Sequence, residues 1–204
     1  MALFLYKGNF LATVADALAG DFGMDLEYAK KITNVNMNRF AEKGEIVRIS
    51  KGLYGRVRNT HFGKLMPNAN EIITMVLLKE DNDTIGYITG PTLLNAIGLS
   101  SWLPNERHIA TNYYRRLLPK NTKIRIHKPI APVNNENVRY LQMLDLLMAM
   151  ERYPVDSEKP DTLIRMVFRK NAIENDRLIL YARKLCSQRV LIKAIDIALG
   201  EIGI

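Results

Sequence analysis

The chain has 204 residues and a formal net charge of +8, with 29 lysines and arginines against 21 aspartates and glutamates. This length accommodates one large domain or two small ones, and we expect two. The content of 48% hydrophobic and 25% charged residues is typical of a globular protein, without the run of about 18 apolar residues that a membrane span requires. Cys186 is the only cysteine, which excludes internal disulfides and cysteine-rich zinc sites and fits a cytoplasmic location.

Helical periodicity predicts three short helices near the start of the chain. The first covers about residues 9–19, where apolar residues recur at three- and four-residue spacing. A second covers residues 25–32 and begins with Asp25 as its cap. Thr33 or Asn34 is expected to cap a third helix, over residues 33–43.

The third predicted helix has an unusual polar face. Its inward residues are predicted to be Val35, Phe40 and Met37. Its outward residues are predicted to be Asn34, Asn36, Asn38, Arg39 and Lys43. Gly44 is placed as the C-terminal stop.

The next segment, Gly44–Val57, reads GEIVRISKGLYGRV and alternates apolar with polar residues on both sides of a Lys51–Gly52 turn. This pattern predicts a β-hairpin. Three short helices followed by a hairpin predict a winged helix-turn-helix, in which the third helix enters the major groove of DNA and the hairpin follows the backbone.

Basic side chains concentrate in this part of the chain: eight lysines and arginines oppose two glutamates between residues 30 and 58. Asparagine amides can read adenine and arginine can read guanine, whereas cations on a wing meet phosphates. The predicted DNA-binding residues are Asn34, Asn36, Asn38, Arg39, Lys43, Arg48, Lys51, Tyr54, Arg56 and Arg58. The alternative is a small helical module with a solvated basic face.

Residues 59–70 are polar and contain Gly63 and Pro67, so a linker is expected there. The predicted domains are residues 1–60, which bind DNA, and residues 68–204. The second domain is expected to contain a small sheet and to end in helices. The fold class is therefore α+β and mainly α.

A second basic segment, residues 115–128, contains no acidic residue. Its basic residues are Arg115, Arg116, Lys120, Lys123, Arg125 and Lys128. Together with Tyr113 and Tyr114 they form a candidate second nucleic-acid surface. The alternative interpretation is a solubilising turn.

Catalytic patterns are sparse in the sequence. His61, His108 and His127 are expected to lie far apart on three elements, and the phosphate-loop, nucleophile-elbow and dinucleotide-binding motifs are absent. The acidic residues considered for a nuclease-type metal site are Asp81, Asp83, Glu106, Asp145 and Glu151. Solvation is the simpler reason for their positions, so neither a catalytic residue, a metal nor a cofactor is predicted.

Two runs resemble antitoxins of the abortive-infection E (AbiE) family. KGEIVRISKGLYGRV is similar to the family's wing, and YITGPTLLNAIGLSSWLP is similar to a second family segment; the resemblance covers roughly residues 10–165. The matching wing positions are Arg48, Lys51, Gly52 and Tyr54. Lys51 replaces the family's arginine, so phosphate attraction is kept and the bidentate fork is lost. The second run maps onto Gly90, Pro91, Leu99 and Pro104, which are expected to be structural.

The resemblance implies a repressor of its own operon that counters a nucleotidyltransferase-like toxin, with no stable contact to that toxin implied. We therefore expect a non-enzymatic DNA-binding autorepressor and antitoxin whose partners are operator DNA and a cognate toxin, as a monomer or weak dimer. One alternative is a DNA-tethered nuclease-like enzyme. Another is a protein or RNA interaction module.

Overall fold

The computed structural model describes residues 23, 25–50, 53–66, 68–80, 82–114 and 122–200. The helix expected over residues 9–19 lies outside these residues. The chain divides into two compact units: unit 1 comprises residues 1–76 and 118–122, and unit 2 comprises residues 77–117 and 123–204. The boundary therefore falls later than the linker expected at 59–70.

Unit 1 begins, in its described part, with one continuous helix, α1 (Leu26–Glu42). The Asp25 side chain caps it as predicted, because the Tyr28 amide donates to Asp25 Oδ2 over 3.1 Å. The prediction of two separate helices over residues 25–32 and 33–43 is wrong, because α1 runs through both ranges without a break. Thr33, a residue that favours helix starts, instead lies inside the helix and is 6% exposed.

The inward face of α1 also differs from the prediction. Thr33 and Met37 are buried four residues apart, as i and i+4 positions on one face must be. Val35 lies two residues from each, on the other side of the helix, and is 47% exposed. Phe40 is 43% exposed. The predicted burial of Val35 and Phe40 is therefore wrong, and that of Met37 is confirmed.

The predicted hairpin is confirmed. Gly44 ends α1 with φ +70°, and β1 (Ile46–Ser50) and β2 (Leu53–Arg56) pair antiparallel. Met37, Ile46 and Tyr54 form a small buried core. The core fixes the hairpin against the end of α1.

A second hairpin occupies most of the expected linker. β3 (Arg58–Thr60) pairs antiparallel with β4 (Gly63–Leu65), and α2 (Ala69–Leu78) follows. The segment expected to be a linker therefore contains a short β-hairpin. The turn residues His61 and Phe62 are not typical turn formers, which is why the sequence pattern did not reveal it.

Unit 2 contains a three-stranded sheet. β7 (Gly86–Ile88) lies antiparallel to β8 (Arg107–Thr111), and β8 lies parallel to β9 (Ile124–His127). A short ladder of β5 (Lys79–Glu80) and β6 (Asp83–Thr84) precedes the sheet.

Helices pack beside this sheet and complete the fold. α3 (Gly90–Ala96) has Pro91 in its first turn, where proline is tolerated. The helical end consists of α4 (Val138–Arg152), α5 (Pro160–Lys170), α6 (Asn175–Leu185) and α7 (Gln188–Leu199). Tyr140, Leu144, Leu147, Leu178 and Val190 belong to their shared core.

The α+β class is thus confirmed, with about 49% helix. None of the helices in the described ranges has the length and apolar character to cross a bilayer.

Candidate nucleic-acid interface

The exposed face of α1 carries polar and basic side chains. Asn36, Arg39 and Lys43 are exposed, and their spacing of three and four residues places them along one stripe. Asn38 is also exposed but lies about 100° around the helix from Arg39. The structure therefore brings three of these residues together and sets Asn38 apart. Asn34 lies on α1, and its side chain is outside the described part.

The predicted wing residues fall into three groups. Arg48 is exposed on β1, the strand that follows α1 in the chain. Lys51 and Gly52 lie outside the described residues. Arg56 and Arg58 occupy β2 and β3, and their side chains are likewise outside the described part.

Tyr54 belongs to the core and not to the surface. Its side chain is 4% exposed and packs with Met37 and Ile46. A ring buried to this extent stabilises the hairpin by packing. We therefore correct its assignment as a DNA-binding residue.

Lys64 is a basic residue that the sequence analysis missed. It is exposed on β4, and a Cβ added to Gly44 would lie 3.1 Å from its Nζ atom. The ammonium group is thus beside the C-terminus of α1, where the helix dipole favours a cation. The signal that could have found it is charge: residues 46–70 contain five lysines and arginines and no acidic residue.

Two basic residues of the second basic segment have partners within unit 2. Arg115, Arg116 and Lys120 lie outside the described residues. Lys123, Arg125 and Lys128 are exposed. The Arg125 Nε atom lies 3.2 Å from Glu106 Oε2, and the Lys128 Nζ atom lies 5.6 Å from the centroid of the Tyr114 ring.

The tyrosines of that segment also have partners within unit 2. The Tyr113 hydroxyl donates to the Glu80 carboxylate. With the Tyr114 ring beside Lys128, these contacts favour the interpretation of a solvated surface over a stacking platform.

Two histidines that were expected to be far apart are close together. His127 Nε2 and His108 Nδ1 are 3.0 Å apart, and the two rings stack with centroids 4.9 Å apart. The prediction of separate histidines is wrong for this pair, because the register of the parallel strands brings them together. His61 lies exposed in the turn of the second hairpin.

Burial is the main cause that lowers the pKa of both histidines. The neighbouring His127 further lowers the pKa of His108, and Arg125 further lowers the pKa of His127. Asp145 accepts a hydrogen bond from Thr89 Oγ1 at 2.8 Å, and burial raises the pKa of its carboxyl group. His108 and His127 are therefore both uncharged near neutral pH, in a partly buried position.

The acidic residues considered for nuclease chemistry have separate neighbours. Asp83 accepts from Asn135 at 3.3 Å, Glu106 pairs with Arg125, and Glu151 lies 3.2 Å from Lys193 Nζ. Asp81 lies outside the described residues. Within the part of the chain that the structure describes, no group of three or more histidine, cysteine or acidic residues is placed to hold a metal ion.

A comparison with protein families finds a match over residues 17–151 to DUF6088, which is described as a family of unknown function. The match includes α1, both hairpins of unit 1 and the sheet of unit 2. It ends within α4, before the last three helices. No curated protein matches the chain.

Proposed function

Because the chain belongs to the DUF6088 family, a family of unknown function, we propose from its own residues that it binds double-stranded DNA as a transcriptional autorepressor. One observation carries this proposal: after Glu45, the stripe of Asn36, Arg39 and Lys43 is followed by residues 46–70, which contain five lysines and arginines and no acidic residue. In this arrangement α1 enters the major groove as the recognition helix of a winged helix, and the β1–β2 hairpin acts as its wing.

The two elements have different tasks in the proposed complex. Arg39 and Asn36 contact base edges, because arginine and asparagine make paired hydrogen bonds to guanine and adenine. Arg48 and Lys51 contact phosphates, which adds affinity without sequence preference. Repression follows when the bound protein blocks access to its own promoter.

The antitoxin role rests on the resemblance of the wing and of the Gly90–Pro104 segment to the abortive-infection E family. In this proposal the chain acts without catalysis, in the cytoplasm, against a nucleotidyltransferase-like toxin encoded beside it. Co-expression tests this part of the proposal. Growth arrest by the neighbouring gene product should be relieved by this chain.

A gel-shift titration over a range of salt concentrations tests DNA binding, using the region upstream of the gene and a shuffled duplex of the same composition. Arg39→Ala should weaken binding and reduce the preference for the upstream duplex. Arg48→Ala should weaken binding to both duplexes equally and reduce the dependence on salt by about one phosphate contact.

Lys184→Ala is the matched control, since it removes one exposed positive charge from α6 in unit 2. It should leave binding unchanged. Equal behaviour of the Arg39 and Arg48 variants would contradict the division of tasks. Failure of the wild-type chain to bind either duplex would contradict the proposed function itself.

A further inference from the structure

The second hairpin of unit 1 presents an aromatic ring to solvent. Phe62 has a relative exposure of 103%, the highest among the large hydrophobic residues of the described part. Leu65 at the end of β4 and Met66 just after it are 57% and 56% exposed. An aromatic ring exposed at the tip of a ribbon loses hydrophobic free energy unless a partner covers it.

The tip of this hairpin is held in shape by its own hydrogen bonds. The Thr60 hydroxyl donates to the Gly63 carbonyl over 2.8 Å and accepts from the Phe62 amide over 3.2 Å. Gly63 has φ +113°, a conformation that side chains disfavour. The ring is therefore presented by a preformed turn.

Charge identifies the partner of the ring. The hairpin lies within residues 46–70, where every charged side chain is basic, and Lys64 places its ammonium group beside the end of α1. A polyanion with flat apolar surfaces inside it satisfies both properties. Base pairs between phosphate backbones are such a partner.

We propose that the β3–β4 hairpin is a second DNA-contacting element and that Phe62 inserts into a base step beside the segment read by α1. The inference rests on the proposed function, since it adds a contact to the same protein–DNA complex. Proteins that insert apolar side chains between base steps unstack them and kink the duplex, and cations on the same ribbon then meet the adjacent phosphates. Lys64 is an exposed cation of this hairpin, and Arg58 belongs to β3 in the same hairpin.

Fluorescence anisotropy on the full chain with the upstream duplex tests the inference. Phe62→Ala should weaken binding about tenfold, because one stacking contact is lost. The slope of affinity against salt should stay unchanged, because no phosphate contact is removed. Phe62→Trp should retain binding.

Met66→Ala is the matched control, since it also removes an exposed apolar side chain after the same hairpin; its binding should equal that of the wild type. A second readout places 2-aminopurine at successive steps of the duplex. Wild-type protein should raise its fluorescence at one step by unstacking, and the Phe62→Ala protein should not. Because Phe62 is fully exposed, Phe62→Ala and Phe62→Trp should keep the wild-type melting temperature.

Three results would overturn the inference. If the wild type binds DNA and Phe62→Ala binds equally well without loss of the 2-aminopurine signal, the insertion is wrong and the proposed function stands. If the wild type binds neither duplex, both fail. If Phe62 instead controls binding to vesicles containing phosphatidylserine while DNA binding is independent of it, the ring is a membrane contact.

Discussion

His108 Nδ1 and His127 Nε2 face each other at 3.0 Å across the parallel strands β8 and β9. At that distance two positive charges repel strongly, so the folded protein resists protonation of both rings. The charged groups around the pair are Glu106 and Arg125, which pair with each other, and Asp145 and Arg152 on α4.

This pair predicts a loss of stability in mild acid. The pKa of each ring is lowered in the folded state, whereas the unfolded chain titrates at about 6.5, so unfolding takes up protons below that pH. The free energy of unfolding should therefore fall as the pH is lowered from about 7 to about 5. Urea unfolding at successive pH values measures it.

A double variant, His108→Gln with His127→Gln, should flatten this dependence, and His61→Gln in the exposed turn should leave it unchanged. Asp145 acts in the opposite direction at lower pH, because its raised pKa makes the folded state bind the proton more tightly. His127 lowers the pKa of Asp145, so the effect of Asp145 cancels between the wild type and His61→Gln but not in the double variant. Equal slopes in the wild type and the double variant would contradict the prediction.

Gly86 is predicted to be intolerant of any side chain. A Cβ at this position would collide with the Leu77 carbonyl oxygen and lie 2.6 Å from the Ala110 carbonyl oxygen. Both obstacles are backbone atoms, so the strand must shift. Gly86→Ala should reduce the free energy of unfolding by about 1–3 kcal/mol, as overpacking of a core does. Urea denaturation provides the measurement.

Gly98→Ala is the control for Gly86. Gly98 has φ +78°, but the nearest atom to an added Cβ is Leu163 Cδ1 at 3.8 Å. Only left-handed backbone strain should result, about 1–2 kcal/mol. If Gly86→Ala caused no loss of stability, β7 would be less closely enclosed than the structure indicates.

The packing role of Tyr54 can be separated from DNA contact by two substitutions. Tyr54→Ala should lower the free energy of unfolding of unit 1 by about 3 kcal/mol or more, because it leaves a cavity between Met37 and Ile46. Tyr54→Phe keeps the ring and should keep both stability and DNA affinity. A selective loss of DNA binding in a stably folded Tyr54→Phe protein would return this residue to the interface.

Asp25 should stabilise the start of α1 through its bond to the Tyr28 amide. Asp25→Ala should cost about 1 kcal/mol, the usual effect of losing a helix cap. Asp25→Asn should cost little, because asparagine caps helices equally well. Thermal unfolding followed by circular dichroism compares the two variants, and identical losses would show that the charge and not the hydrogen bond matters.

Local chemistry made several elements predictable from the sequence. Asp25 and Gly44 each act within a few residues, and both lie at the helix ends where they were expected. Thr33 was misleading because a residue that favours helix caps is also tolerated inside a helix when its face is buried. The exposure of Arg39, Lys43 and Arg48 also followed from the amphipathic pattern.

Contacts between distant segments were not predictable in the same way. The approach of His108 to His127 depends on a parallel register between strands separated by a long connection, which no local pattern specifies. The second hairpin was missed because its turn contains His61 and Phe62 where glycine or asparagine is usual. Lys64 was consequently assigned to a linker.

Backbone hydrogen bonds join α1 to the first hairpin, and this join bears on the proposed complex with DNA. The Glu45 amide donates to the Phe40 carbonyl over 3.0 Å, and the Val57 amide donates to the Glu45 carbonyl over 2.9 Å. Glu45 therefore links the last turn of α1 to the open end of the hairpin, where β1 begins and β2 ends. In the proposed complex this link keeps the helix and the hairpin at a fixed spacing, so we expect binding to B-form DNA and not to A-form RNA, whose major groove is deep and narrow.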